Sequence, residues 1–112
     1  MPILRNADRA IVDERKVRDY LLNPLHARDG HKARMFGAAL VYRRFDHARL
    51  IKHIREGILM HEAVHIDAVP YGERFRAEVP IVGPAGSAIV RTFWIIRMGK
   101  DVPRLISAYP IK

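Results

Sequence analysis

RFRAEVPIVGPAGSAIVRTFWIIR, residues 74–97, decides the fold. In its first half Phe75, Ala77, Val79 and Ile81 fall on one side, and Arg74, Arg76 and Glu78 on the other. That period of two belongs to a strand with one buried face. GPAGS, 83–87, is a turn signal. AIVRTFWIIR is apolar on both sides, as in a central strand covered above and below. By alternation Arg91 shares a side with Ile89, Phe93 and Ile95, while Thr92 shares the other with Val90 and Trp94. Two strands joined by so short a turn run antiparallel.

Working outward, EAVHIDAVPY (62–71) reads as a strand, with a turn at Tyr71-Gly72-Glu73. Gly99 to Pro103 makes the last turn, and RLISAYPI (104–111) is the closing strand. Ahead of the strands the apolar period lengthens to about 3.6. Asp13 is placed to cap a first helix, with Glu14 in its first turn, then Val17, Tyr20 and Leu21, and a stop at Asn23-Pro24. Asp29 is placed to cap a second helix over about 31–44, with Ala33, Phe36, Gly37, Leu40 and Val41 on its apolar face. Asp46 precedes a third, carrying His47, Leu50, Ile51 and Ile54 on one face and Gly57 near its end. The expectation is a single α+β domain over 1–112: two to three N-terminal helices packed on a four-stranded antiparallel sheet.

Twenty Lys and Arg stand against twelve Asp and Glu, a net +8. A domain this basic often faces an anion, whether nucleic acid, a membrane surface or an acidic protein, or else carries a well-solvated Arg-rich surface. There is no cysteine. Disulfides, thiolate metal sites and a cysteine nucleophile are therefore excluded, which fits a reducing compartment. No apolar run approaches the roughly 20 residues of a membrane span, and no signal-peptide pattern opens the chain. A cytoplasmic location without membrane contact is expected.

His61-Glu62-Ala63-Val64-His65 matches the zinc-peptidase pattern H-E-x-x-H, which needs both histidines on one helix face. The motif falls where the period has already changed to two, and in a strand its histidines lie about 13 Å apart. No phosphate-binding loop, dinucleotide fingerprint or nucleophile elbow is present, so neither metal nor cofactor is expected. What remains is cationic and hydroxylic. In LHARDGHKARMFGAAL (25–40), His31 and Lys32 stand in the first turn of the second helix. Cations belong at the other helix end, so their stabilising motive lies outside the helix. Arg91 and Thr92 sit in the central strand, and Arg104, Ser107 and Tyr109 in the last, beside it in a meander. A charge within an apolar strand is costly unless paired, and Glu78 or Asp101 are candidate partners for Arg91. The plain reading of each residue is an ion pair, a core tyrosine or a solvated face. The functional reading is a phosphate held by Arg91 and Arg104, with Lys32 or His31 stabilising charge or moving a proton. The first place to look is the start of the second helix, facing Arg91 and the last strand.

The strings D-x-x-K-V-R-D-Y-L-L-N-P-x-H (13–26), G-H-K-A-R-M-F (30–36), Y-G (71–72), G-P-x-G (83–86), V-R-T-F-W-I-I (90–96) and D-V-P-R-L-I-S-A-Y-P (101–110) cover nearly the whole chain. Together they resemble a bacterial family of small domains of unknown function. The order of helices and strands is also similar to the barnase, EndoU, colicin and RelE-like superfold of ribonuclease toxins. That likeness is one of architecture, and fold alone does not fix function. It implies a small, basic, metal-free RNase. The chain departs from some members of that superfold in having no histidine in its last two strands.

The resulting expectation is a toxin-like, metal-independent endoribonuclease that uses the RNA 2′-hydroxyl as nucleophile. Lys32, His31, Arg91, Thr92, Arg104, Ser107 and Tyr109 would form its site, and Arg28, Arg34, Arg74 and Arg76 would hold the nucleic acid. A small acidic antitoxin or immunity-type protein would cover the same surface. The competing expectation is a non-catalytic basic module that docks an acidic protein or nucleic acid.

Overall fold

The computed structural model describes residues 2–22, 32, 46–83 and 86–111, the side chains of 19–21 excepted. Four strands form one antiparallel meander in the order β1-β2-β3-β4: β1 Ala63–Val69, β2 Gly72–Val82, β3 Ser87–Arg97 and β4 Arg104–Pro110. The central pair, β2 and β3, is in unbroken register from Gly72↔Arg97 to Val82↔Ser87. Each outer strand carries one bulge: at Ile66 in β1, between the partners of Phe75 and Arg74, and at Ile106 in β4, between the partners of Phe93 and Trp94. Pro80 lies beyond the last β1–β2 partner pair, Ala63↔Ala77. There β2 has a neighbour on one side only, which is where a strand tolerates a residue without an N–H.

Alternation assigns the two sheet faces as the sequence implies. Ala77, Val79, Ile81, Ala88, Val90, Thr92, Trp94, Leu105 and Ala108 are buried on one face. Leu50, Ile54 and Ile58 from a helix, Val17 and Leu22 from the preceding segment, and Leu4, Ala7 and Ala10 from the N-terminal strap complete this core. The strap is tied down at several points. The Ala63 amide donates to the Pro2 carbonyl at 3.0 Å; at the head of β4 the Ile11 amide donates to the Pro103 carbonyl at 2.8 Å and the Ile11 carbonyl accepts from the Leu105 amide at 2.9 Å. The Asn6 side-chain amide donates to the Asp101 carbonyl at 2.8 Å.

The expectation of two to three helices needs correction. Among the described residues one regular α-helix is present, α1, His47–Gly57. It is the third expected helix, with Leu50 and Ile54 buried as anticipated, although Asp46 occupies the cap position without a side-chain cap bond. The first expected helix starts as read, with Asp13 accepting from the Arg15 amide at 2.9 Å. It then winds as a π-helix over Lys16–Leu21, where the Leu22 amide reaches the Val17 carbonyl five residues back. A short 3-10 turn, Ala7–Arg9, precedes it. The second expected helix, 31–44, lies outside the described residues except for Lys32, which is helical.

Two contacts set how closely α1 and the sheet approach. A Cβ placed on Gly57 would lie 2.0 Å from Val79 Cγ1, so only glycine lets the end of α1 rest on β2. Under this layer Thr92 donates to the Ala77 carbonyl at 2.7 Å and accepts from the Trp94 indole at 2.8 Å. One hydroxyl therefore satisfies the polar tip of a fully buried tryptophan, as burial of such a group requires. Gly57→Ala is expected to destabilise by about 1–3 kcal/mol through overpacking. Thr92→Val, which keeps the shape and orphans the indole N–H, is expected to cost about 1–3 kcal/mol. Urea unfolding followed by the emission of Trp94, the single tryptophan, measures both.

Candidate functional site

On the sheet face opposite the core, β-register arranges side chains in rows about 7 Å apart. One row is Glu78, Arg91 and Tyr109; the next is Arg76, Phe93 and Ser107; the third is Asp67, Arg74, Ile95 and Arg104. Across the first row Arg91 Nη2 donates to Glu78 Oε1 at 2.9 Å. Between the first two rows the Phe93 and Tyr109 rings lie 5.7 Å apart, tilted by 33°. At the end of the second row Lys32 Nζ donates to Ser107 Oγ at 2.8 Å. Lys32 comes from 75 residues away, so this bond links a distant point of the chain to the last strand.

Beside the Lys32–Ser107 contact lies a recess of about 310 Å³, lined by Ile66, Arg74, Phe75, Phe93, Ile106 and Ser107. Both bulged residues, Ile66 and Ile106, line it. A bulge re-aims a side chain that regular pleating would send elsewhere, and bulges gather beside binding sites. The recess thus has an aromatic and aliphatic lining with an arginine and a hydroxyl at its margin. That suits a flat ring system attached to an anion.

Electrostatics on this face are organised by two pairs. Glu78, followed by Tyr109, keeps the Arg91 guanidinium above its ordinary pKa against a smaller opposing effect of desolvation. Arg91 is therefore a permanent cation. Its Nε is buried with no acceptor among the described residues. A buried donor left unmet costs about 1–3 kcal/mol. In the third row Arg74 grips both carboxylate oxygens of Asp67, with Nε to Oδ1 at 2.7 Å. That hydrogen bond holds the Asp67 carboxyl below its usual range and outweighs the desolvation that opposes it.

The expected site residues divide into groups. Lys32, Ser107, Tyr109 and Arg91 share the face just described. Thr92 lies on the opposite side, fully buried and bonded to Ala77 and Trp94, out of reach of any ligand on this face. Arg104 is on the same face but lines a different recess, with Ile11, Arg97, Lys100, Asp101 and Val102. Arg74 is committed to Asp67, and Arg76 is half-buried beside Phe93. His31, Arg28 and Arg34 lie outside the described residues. The residues not anticipated for the site are Phe93, Ile66 and Ile106, together with Glu78 as more than a counter-ion.

The H-E-x-x-H segment enters β1 at Ala63, so His61 and His65 do not share a helix face. His65 packs edge-on against Phe75 with ring centroids 5.2 Å apart, and its Nε2 lies 3.4 Å from Glu73. Among the described residues no three His, Asp or Glu are grouped to hold a metal ion. No described helix is long and apolar enough to cross a membrane.

The Asp67–Arg74 pair generates a pH prediction. A carboxyl with a lowered folded pKa contributes stability that is present above the ordinary carboxylate range and is lost as the pH falls through about 4 and below. Asp67→Asn is expected to lower stability modestly at neutral pH, since the pair is partly solvated, and to converge with the native protein in acid, which flattens that part of the stability curve. Urea midpoints measured from about pH 3 to 7 for both proteins test this.

No curated protein and no solved structure matches the chain. Residues 3–112 match the family model described as "Domain of unknown function (DUF6883)", and the chain belongs to that family.

Proposed function

We propose that this domain is a metal-independent endoribonuclease of toxin type, acting in the cytoplasm and held in check by a small acidic protein. The observation that carries the reading is the Lys32–Ser107 contact. It brings a cation from a distant segment to the face that already holds Arg91, Tyr109 and Glu78. RNA supplies its own nucleophile, so the protein has only to move two protons and stabilise charge. Glu78, whose side chain is 40% exposed, accepts the 2′-hydroxyl proton. The 2′-oxygen bonds to phosphorus, the bond to the 5′-oxygen breaks, and Tyr109 or Lys32 returns a proton to the leaving oxygen. The products are a 2′,3′-cyclic phosphate and a free 5′-hydroxyl. Arg91, kept charged by Glu78, stabilises the phosphorane oxygens. Phe93 in the recess stacks on a flanking base.

A second reading, a non-catalytic binding module, is favoured by one observation: Arg91 and Arg74 each already carry a carboxylate, which offsets the positive charge that a scissile phosphate would meet. Cleavage separates the two. Purified protein is expected to fragment total RNA in excess EDTA, leaving cyclic-phosphate ends. Glu78→Gln and Lys32→Met are each expected to lower the rate by about 100-fold or more. Expression of the native chain is expected to arrest growth, and either substitution to relieve the arrest. Intact RNA together with unimpaired growth would sink the ribonuclease reading and leave the binding module.

A further inference from the structure

We propose that the turn end of the β3–β4 hairpin is a second, non-catalytic surface for single-stranded RNA, built by Arg5, Arg97, Lys100 and Arg104. Arg97, Lys100 and Arg104 line one recess of about 190 Å³, and Arg5, Arg97 and Lys100 line an adjoining one of about 420 Å³. Arg97 and Lys100 belong to both, so the two recesses form one surface. None of the four cations makes an ion pair or side-chain hydrogen bond among the described residues. That sets them apart from Arg74 and Arg91, which face carboxylates. Two carboxylates, Glu73 and Asp101, line the same recesses, so four cations stand against two anions. The excess positive charge is self-repelling, and an anion relieves that repulsion.

Position decides what kind of anion fits. Arg97 is six residues beyond Arg91 on β3, on the same face by alternation, at a distance of about 20 Å. Arg104 lies between, in the row about 13 Å from Arg91. Ile95, next to Arg104 in that row, is only 5% exposed, which closes the middle of the face. A strand leaving the Arg91–Tyr109 row therefore follows β4, past Ser107 and Arg104, to Arg97 and Lys100. At about 3.4 Å per stacked nucleotide this path spans about six nucleotides. An acidic protein would need a continuous apolar centre to dock. The apolar side chains here are split between the recesses, Ile11 and Val102 in one and Val69, Ile96 and Met98 in the other. Cations set in a row along this path match a phosphate backbone.

The inference rests on the reading of RNA as the ligand, and its test is separable from cleavage. The probe is a fluorescein-labelled 2′-O-methyl oligouridylate of about twelve nucleotides, which lacks the nucleophile and cannot be cut. Its binding by the full chain is measured by anisotropy over a salt series. Arg97→Gln combined with Lys100→Gln is expected to reduce the slope of log K against log salt by about 1.4, or ~0.7 for each phosphate no longer neutralised. The control pair Arg49→Gln and Arg55→Gln, on exposed positions of α1, is expected to leave the slope unchanged. Both doublets sit at exposed positions and should fold as the native chain does. The proposal is overturned if the native chain does not bind the probe, or if the two doublets behave alike. It is also overturned if oligoglutamate of equal charge displaces the probe as well as unlabelled oligonucleotide does, which would mark the surface as one for an acidic protein. Binding with the expected slope change but no cleavage of unmodified RNA would keep this surface and reject the ribonuclease reading. Cleavage with no difference between the doublets would do the reverse.

Discussion

The unbroken register of β2 against β3 is the constraint on which the rest of the structure depends. It runs the full length of both strands, eleven residues each, while both outer pairings are interrupted. Because side chains alternate with period two, one slip would exchange the faces and bring Arg91 into the core in place of Thr92. Thr92 guards against that slip. Its hydroxyl bonds the carbonyl of Ala77, its own cross-strand partner, and satisfies the Trp94 indole on the same strand. The opposite face is specified as firmly, since Glu78 and Arg91 are partners in the same register and meet only there.

The two faces are held together by different physics. The core face is an apolar layer closed by Leu50, Ile54 and Ile58, with one internal hydroxyl. The other face is a ladder of charges and aromatics. There Arg91 gains a carboxylate and a phenol as neighbours and still leaves one buried N–H unmet. Lys32, from a distant part of the chain, donates its ammonium to Ser107 on the same face.

Much of the sheet is legible in residue order. The alternation in 74–82 and the two-sided apolar run in 88–97 assign the faces correctly, and strands pair symmetrically about the turn at 83–86. That symmetry already makes Glu78 the partner of Arg91, a choice that composition alone leaves open with Asp101. The bulges are not legible. Nothing about Ile66 or Ile106 as residues distinguishes a bulged isoleucine from a regular one, so the recess they line has no signature in the chain. The π-helix is also hidden, because Lys16–Leu21 has the same apolar spacing whether the amides reach back four residues or five. Adjacency of the last two strands groups Arg104 with Arg91. The register, which a bulge shifts, is what separates them by two rows. Lys32–Ser107 spans 75 residues, and only the oddity of a lysine at a helix start points toward it.

The paired bulges have a consequence for how this protein meets other molecules. Both outermost strands are interrupted near their middles, at Ile66 and at Ile106. An interrupted, twisted border presents no straight row of amides and carbonyls for a foreign strand to zip onto. The start of the second border is also occupied by Ile11. Growth of the sheet by addition of a neighbour's strand is thereby discouraged on both sides. A highly charged chain with exposed isoleucines at positions 3, 11 and 66 is protected in this way from edge-to-edge self-association.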